Sequence, residues 1–396
     1  MPIDVAIVGA GPAGARAAYV LARRGARVTV FDGSHPREKP CGGGVTGRAL
    51  ALVADAIDPA AIPRTVIRSA RFTHSLATMV GGRGRTSGSE LEIGVPLEPG
   101  ALVVTSRAAF DIALLEAAQR AGAILVRSRV ADVSVDGEGV SLTTADGVRH
   151  RASYVIGADG ANSLVRRRVS VPFRRDQLSI ATGFFARGVS SDEIVIELTS
   201  NPPGYIWSFP RPGHLAIGIC AQADAGIGAG ALRGRTRDWI AKTRIAEEAT
   251  LEPYSWPIPS LGASDYDTLA LAGPRWALAG DAAGLVDPIT REGIFFAVAS
   301  GDWIAGALMG ANPAAAYTAQ VRDEAVAELA RAARLKAGFF RPAFTGLMMR
   351  ALLQSAAIRG VMADLVAGRQ SYATLKWRLL KTFELGLAWR ALTTRD

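Results

Sequence analysis

The chain has 396 residues, 49% hydrophobic and 20% charged, which describes a globular protein of two ordinary domains or one core with a large insertion. Its two cysteines, Cys41 and Cys220, exclude a disulfide framework and any four-cysteine iron–sulfur or zinc centre within the chain. The net charge of +9 is uneven: residues 1–330 hold 33 basic and 33 acidic side chains, and residues 331–396 hold 12 and 3.

Asp4 to Val8 reads as a buried parallel strand, and Gly9-Ala10-Gly11-Pro12-Ala13-Gly14 as a sharp turn. Ala15 to Arg24 fits a helix, and Arg27 to Phe31 a second strand ending at Asp32. The apolar start is already this first strand, so no secretory signal is visible and a cytoplasmic compartment is expected. Nor does any stretch reach the ~20 apolar residues that a bilayer span needs. Gly9 permits the tight turn, Gly11 lets backbone approach phosphate, and Gly14 lets helix pack closely on strand. The N-terminus of that helix offers free N–H groups and partial positive charge to a diphosphate. Asp32, eighteen residues past Gly14, is placed to accept ribose hydroxyls. Strand, turn, helix and acid together predict dinucleotide binding.

After the loop 33–39 come Pro40-Cys41-Gly42-Gly43-Gly44-Val45. Three consecutive glycines make sense where backbone lies flat against a ring. Cys41 beside them is a contact to that ring, a proton donor, a redox thiol, or a small buried hydrophobe. Thr46 to Ala54 is helical in pattern. Residues 66–104 predict an inserted antiparallel sheet, with a turn at Gly81-Gly82-Arg83-Gly84 and a strand at Glu90–Val95. A helix follows from Arg107 to Ala121, then the strand Ala123–Arg127 and a hairpin, Val130–Asp136 with Val140–Thr144. Tyr154 to Ser163 is another strand running into a loop, followed by a short basic helix, Leu164–Arg168.

From Val171 to about Asp265 lie further strands, including Ile194–Thr199, Tyr205–Pro210 and His214–Ala221, with a helix over Leu232–Glu248. Tyr205, Trp207 and Phe209 alternate along one strand and so share a face, as a cavity wall or as an aromatic core. Trp276–Ala279 is a strand, followed by Gly280-Asp281-Ala282-Ala283-Gly284 and a helix from about Gly293 to Met309. The last 80 residues are helical in pattern. Asp281, leaving an apolar strand, is either a helix cap or a ligand-binding acid at the sheet's C-terminal edge. The basic excess after residue 330 suits nucleic acid, an anionic membrane or plain solvent; interleaved apolar residues favour the membrane over nucleic acid. Four scattered histidines make no metal site, and no Ser-His-Asp set has supporting context.

The opening GAGPAG, Gly157-Ala158-Asp159-Gly160-Ala161-Asn162-Ser163 and Gly280–Pro288 (GDAAGLVDP) occur in an order that resembles FAD-dependent oxidoreductases of the glutathione-reductase-like superfamily, hydroxylase-like branch. Lys39–Gly44 (KPCGGG), Gly204–Pro210 (GYIWSFP) and Gly368–Lys376 (GRQSYATLK) resemble the geranylgeranyl reductase family. The resemblance implies an α/β fold: a Rossmann-type FAD-binding domain over 1–75, 101–170 and 266–330, a mainly antiparallel substrate domain over 76–100 and 171–265, and a helical segment over 331–396.

It implies FAD held by Gly9, Gly11, Pro12, Ala13, Gly14, Asp32, Cys41, Gly42, Gly43, Gly44, Val45, Asp159, Gly160, Gly280 and Asp281. Pro288, Gly293 and Ile294 would start a helix facing the flavin pyrimidine. Arg107 is either aimed at the FAD or a surface cap. NADPH or another low-potential reductant would reduce the flavin. The implied activity is reduction of isoprenoid C=C bonds by hydride from flavin N5, with Cys41, Tyr205 and Trp207 at the reacting atoms. Phe184, Tyr205, Trp207 and Phe209 would line the substrate cavity, and Phe185 would add to that wall. The alternatives are an oxygen-using hydroxylase, a halogenase and a non-catalytic prenyl-lipid carrier. The absence of lysine from Val45 to Ala241 counts against halogenation. Peripheral membrane association is expected; metal and nucleic acid are not.

Overall fold

The computed structural model describes residues 3–76 and 89–382; the turn expected at Gly81-Gly82-Arg83-Gly84 and residues 383–396 lie outside the described residues. Four apolar strands, Asp4–Val8, Arg27–Phe31, Tyr154–Gly157 and Trp276–Leu278, make the centre of a six-stranded sheet. They run parallel, with Ile124–Val126 at one edge and Ala272–Gly273 antiparallel at the other. Val5, Ile7, Val155 and Ile156 are wholly closed to solvent, as expected where helices cover both faces of a parallel sheet.

The register sets Val8 beside Phe31 and Gly157, and Gly157 beside Leu278. All four strands therefore release the chain at one edge. Gly9, Asp32, Asp159 and Asp281 gather there from distant parts of the sequence. The helix Pro12–Arg23 packs against the helices Arg107–Arg120 and Ile294–Ala307. Gly301 allows the last contact, because a Cβ there would meet the Ala13 carbonyl oxygen at 2.6 Å.

The expected hairpin gains a third strand, Arg149–Ala152, whose run of arginine and histidine carries no strand-like alternation of apolar residues. The seven-stranded sheet runs in the order Thr250–Pro259, Leu178–Arg187, His214–Gln222, Pro203–Arg211, Ile194–Ser200, Ser69–Leu76, Ser89–Pro96. Its pairs are antiparallel except Ile194–Ser200 with Ser69–Leu76. The boundary expected after residue 75 falls inside the strand Ser69–Leu76. A smaller sheet joins Gly44–Thr46, Leu102–Thr105 and Arg64–Val66.

One face of the large sheet is covered by the helix Ala229–Thr243, shorter than expected because Arg244 turns left-handed at φ 56°. Against the strands Ser69–Leu76 and Ser89–Pro96 pack the helices Pro342–Gln354 and Ala356–Val366. Pro342 opens the first at N1, and the Ser355 hydroxyl caps the second by accepting from the Ile358 N–H. Met349 and Leu352 are buried there with Phe72, Val95, Ile194 and Leu198.

Candidate active site

The turn after the first strand is built for close approach. Gly9 sits at φ 103°, and a Cβ on it would meet the Ala158 carbonyl oxygen at 2.4 Å. A Cβ on Gly14 would lie 2.0 Å from the Gly9 carbonyl oxygen, so helix and turn touch as expected. Gly11 has open space where its Cβ would be. The helix it caps carries no side-chain cap and no acid in its first turn, so its N–H groups stay available to an anion.

Asp32 accepts from the Ala10 N–H at 2.9 Å and from the His35 ring at 2.8 Å. Burial acts to raise its pKa, but His35, Ala10 and Ser34 outweigh that and hold it well below the carboxylate range. The other His35 nitrogen lies 3.3 Å from Asp111, which is closed to solvent and pairs with Arg107 through bonds of 2.8 and 2.7 Å. Burial lowers the His35 pKa and the two aspartates raise it, with a net rise. Arg107, open to cap or cofactor by sequence, is thus a buried anchor on the cavity wall.

The glycine loop is held by Arg211, which is 1% exposed. Its guanidinium donates to the carbonyls of Lys39, Cys41 and Gly42 and pairs with Glu38 at 2.9 Å. It also lies 3.4 Å from the Cys41 sulfur, with Arg107 at 3.8 Å on another side. Gly43 has φ 86° and a Cβ there would strike the Thr105 carbonyl and Arg211, while one on Gly42 would meet the Phe209 ring at 2.9 Å. Both cysteines are free thiols.

Asp281 accepts from Lys39 Nζ at 2.8 Å across the cleft. Asp159 accepts from the N–H groups of Leu164 and Val165 through one oxygen; the other is buried without a partner, and burial raises its pKa. Gly293 precedes the helix Ile294–Ala307, which has neither a side-chain cap nor an acid in its first turn. The loop before it is pinned from the C-terminal segment. Tyr372 donates to Asp287 at 2.8 Å, and Asp287 accepts from the N–H groups of Ile289 and Thr290. Gly368 lies against the Arg48–Glu292 ion pair, where a Cβ would meet Arg48 at 2.7 Å.

One cavity of about 1040 Å³ joins these parts. Gly9, Gly11, Pro12, Ala13, Asp32, Cys41, Gly42, Gly43, Gly44, Arg107, Asp159, Gly160, Gly280, Asp281, Gly293 and Ile294 line it, as do Tyr205, Trp207 and Phe209. Five expected residues do not. Gly14 serves helix–strand packing, and Pro288 is buried behind the loop. Val45 points from its strand into the helical core, opposite Gly44. Phe184 lies on the opposite face from Trp207, packed with Leu232 and Trp239 of the covering helix. The register explains it: Gly183, Gly218 and Trp207 lie side by side, so residue 183 rather than 184 shares the Trp207 face. Phe185 does face that way, but at the strand's end, against Tyr254 and His214.

The sequence reading missed Glu38, His35, Asp111, Arg211 and Tyr372. Only the positions of Glu38, Arg211 and Tyr372, in or beside the quoted motifs, could have drawn attention to any of them. Open space at Gly11 and Gly160, uncapped helix ends and an unpartnered buried oxygen on Asp159 together fit a bound FAD. Among the described residues no helix is long and apolar enough to cross a membrane, and no cluster suits a metal.

Known proteins agree with this geometry. Residues 2–301 match the FAD binding domain family. Menaquinone reductase of Mycobacterium tuberculosis is 30% identical over 324 residues, covering 75% of this chain and 74% of that one. Geranylgeranyl diphosphate reductase of Rhodobacter capsulatus is 29% identical over 320 residues, covering 78% and 75%. The crystal structure of a geranylgeranyl bacteriochlorophyll reductase-like protein from Thermoplasma acidophilum shares the fold, with a TM-score of 0.78, 21% identity and coverage of 96% and 99%. The chain belongs to the FAD binding domain family and, within it, to the geranylgeranyl reductase-like FAD-dependent oxidoreductases.

Proposed function

We propose that this flavoenzyme reduces carbon–carbon double bonds in an isoprenoid substrate. The observation that carries the reading is the continuity of the cavity from the dinucleotide cradle into an apolar arm. That arm is walled by Phe72, Ile194, Ile196 and Leu198 of the large sheet and by Phe339, Met362, Leu365 and Val366 of the C-terminal helices. Such a lining suits a branched hydrocarbon and offers little to a compact charged metabolite. The relatives named for geranylgeranyl diphosphate and menaquinone support the same class.

Bound FAD, once reduced by NADPH or another low-potential donor, supplies the hydride. The chain's own residues position the substrate and keep water out. Tyr205, fixed by its hydroxyl donating to the Thr290 carbonyl at 2.9 Å, and Trp207, 5.7 Å from it between ring centres, shape the wall. Cys41 is the proposed proton donor, with two guanidiniums beside it to meet the charge left on sulfur.

The substrate's route is marked by rings. Phe344, 40% exposed, touches Phe339, which touches Phe340, which stacks on Tyr205 beside Trp207. With Leu347 and Leu353 exposed on the same helix and basic residues around them, this surface is the proposed membrane contact. The deciding experiment is anaerobic reduction of the bound FAD, then mixing with polyprenyl substrates or with oxygen. Reoxidation by a prenyl substrate with saturated product supports the reading. Reoxidation by oxygen alone, with a hydroxylated product, replaces it by a hydroxylase.

A further inference from the structure

Glu292 is a carboxylate on the cavity wall to which the proposed reduction assigns no task. It lines the cavity together with Thr46, immediately before Gly293 and the helix Ile294–Ala307. One of its oxygens accepts from the Thr46 hydroxyl at 2.8 Å, and the other pairs with Arg48. The pair is not symmetric about the wall. Glu292 and Thr46 face the cavity, whereas Arg48 stands off the wall with its guanidinium 3.8 Å over the Phe295 ring. A group in the cavity therefore meets negative charge first and positive charge second.

The surroundings preserve this field. Gly368 of the C-terminal segment has φ 69°, and a Cβ there would meet Arg48 at 2.7 Å and Glu292 at 2.8 Å, so backbone sits directly on the pair. The Glu292 side chain is left only 13% exposed, and charge acts more strongly where water is excluded. Lys39 and Asp281 line the cavity as well but cancel one another at 2.8 Å, and Arg291 turns its guanidinium to the Ser260 hydroxyl. The N-terminus of the helix Ile294–Ala307 carries partial positive charge with no side-chain cap and no acid in its first turn. Glu292, one residue before the Gly293 cap, offsets that charge at the wall.

We propose that Glu292, with Arg48 behind it, lowers the reduction potential of the bound flavin and so makes it a stronger hydride donor. Uptake of a hydride, two electrons and one proton, leaves the flavin ring with one more negative charge. A carboxylate on the wall opposes that charge, and a guanidinium stabilises it. The purpose of this tuning rests on the reductase reading above: an isolated alkene has no carbonyl to take up charge and needs a strong donor. The potential itself belongs to the FAD-loaded protein and is measured without substrate.

The test is the midpoint potential of the FAD-loaded protein, titrated anaerobically against a reference dye and compared with free FAD in the same buffer. Wild type should lie below free FAD. Glu292→Gln should move the potential up and Arg48→Gln should move it down, each by roughly tenfold in the reduction equilibrium, about 30 mV for a two-electron couple. A purely structural role would loosen the site in both variants and move both toward free FAD, so the downward shift in Arg48→Gln is the decisive one. An Arg48→Gln potential at or above that of wild type overturns the proposal. So does a wild-type potential at or above that of free FAD, whether or not the variants retain flavin. Opposite shifts without reoxidation of the reduced protein by any polyprenyl substrate uphold the tuning and remove the reductase reading instead. Reoxidation by such a substrate with both variants at the wild-type potential does the reverse.

Discussion

Arg211, at the end of a strand in the large sheet, donates to the Cys41 carbonyl at 2.6 Å and so ties that sheet to the glycine loop. The same guanidinium satisfies two further carbonyls and Glu38 while almost closed to solvent. A planar fork can do this; an ammonium has one point of charge. Arg211→Lys should therefore leave part of this network unsatisfied and cost about 2–4 kcal/mol. A lower thermal midpoint together with weaker FAD retention is expected. Unchanged values for both would show that the loop holds its shape alone.

The His35 network predicts a pH dependence. His35 has a raised pKa when folded, so its stabilising contribution is complete below the ordinary value of 6.5 and is lost as pH rises through the folded pKa. Asp32 has a depressed pKa, so its contribution is present above the ordinary 3.8 and lost only in strong acid. Between those limits the Asp32–His35–Asp111 chain is intact. Thermal midpoints of wild type should thus fall from above pH 6.5 more steeply than those of His35→Asn. Parallel curves for the two proteins would remove His35 from the account.

Asp281 meets Lys39 at the edge where the four central strands end. Asp281→Asn removes a charged acceptor, and a charge-assisted hydrogen bond is worth about 1.5–3 kcal/mol. The FAD dissociation constant should rise roughly tenfold to a hundredfold, measured by flavin release on ultrafiltration. Full retention would place Asp281 outside the cofactor contacts.

Trp207 belongs to the cavity wall, and Gly218 beside it leaves room for the indole: a Cβ there would meet the ring at 2.6 Å. Trp207→Phe should keep FAD content and fold while lowering isoprenoid turnover at least several-fold. Loss of flavin from this variant would mean that the aromatic stripe supports the cradle instead.

The exposed face of the helix Pro342–Gln354 gives a prediction about membranes. Phe344→Ser with Leu347→Ser should reduce flotation with anionic liposomes, since about 0.8 kcal/mol is lost for each buried methylene. Both side chains are at least 40% exposed, so stability should barely change. Wild type that fails to float at low and at moderate salt refutes the membrane contact outright.

The parts of the site legible in the sequence are those where backbone geometry admits few residue types. Gly9, Gly11 and Gly14 announce a cradle because a Cβ is excluded or phosphate must approach, and Asp32 and Asp281 follow strands of evident apolar character. Tyr205, Trp207 and Phe209 were legible through the two-residue period of a strand. Phe184 misled because a face is fixed by register with neighbouring strands, and register is invisible in one strand. Arg211, His35 and Tyr372 were hidden for another reason. Each acts on a partner far away in the chain, at 170, 76 and 85 residues for Cys41, Asp111 and Asp287. Local patterns carry no trace of such pairings.

The parallel sheet that gathers the acids also separates the order of synthesis from the order of assembly. Asp4–Val8 pairs with Tyr154–Gly157, which follows it by some 150 residues, and Trp276–Leu278 comes later still. The side of the first strand that pairs with Tyr154–Gly157 therefore stays open until that later stretch has been made, while Arg27–Phe31 is available at once on the other side. Tyr372, which pins the loop before the helix Ile294–Ala307, is made later than every strand of that sheet. A nascent chain halted before that residue would carry the dinucleotide turn complete and the loop before the helix Ile294–Ala307 unlatched.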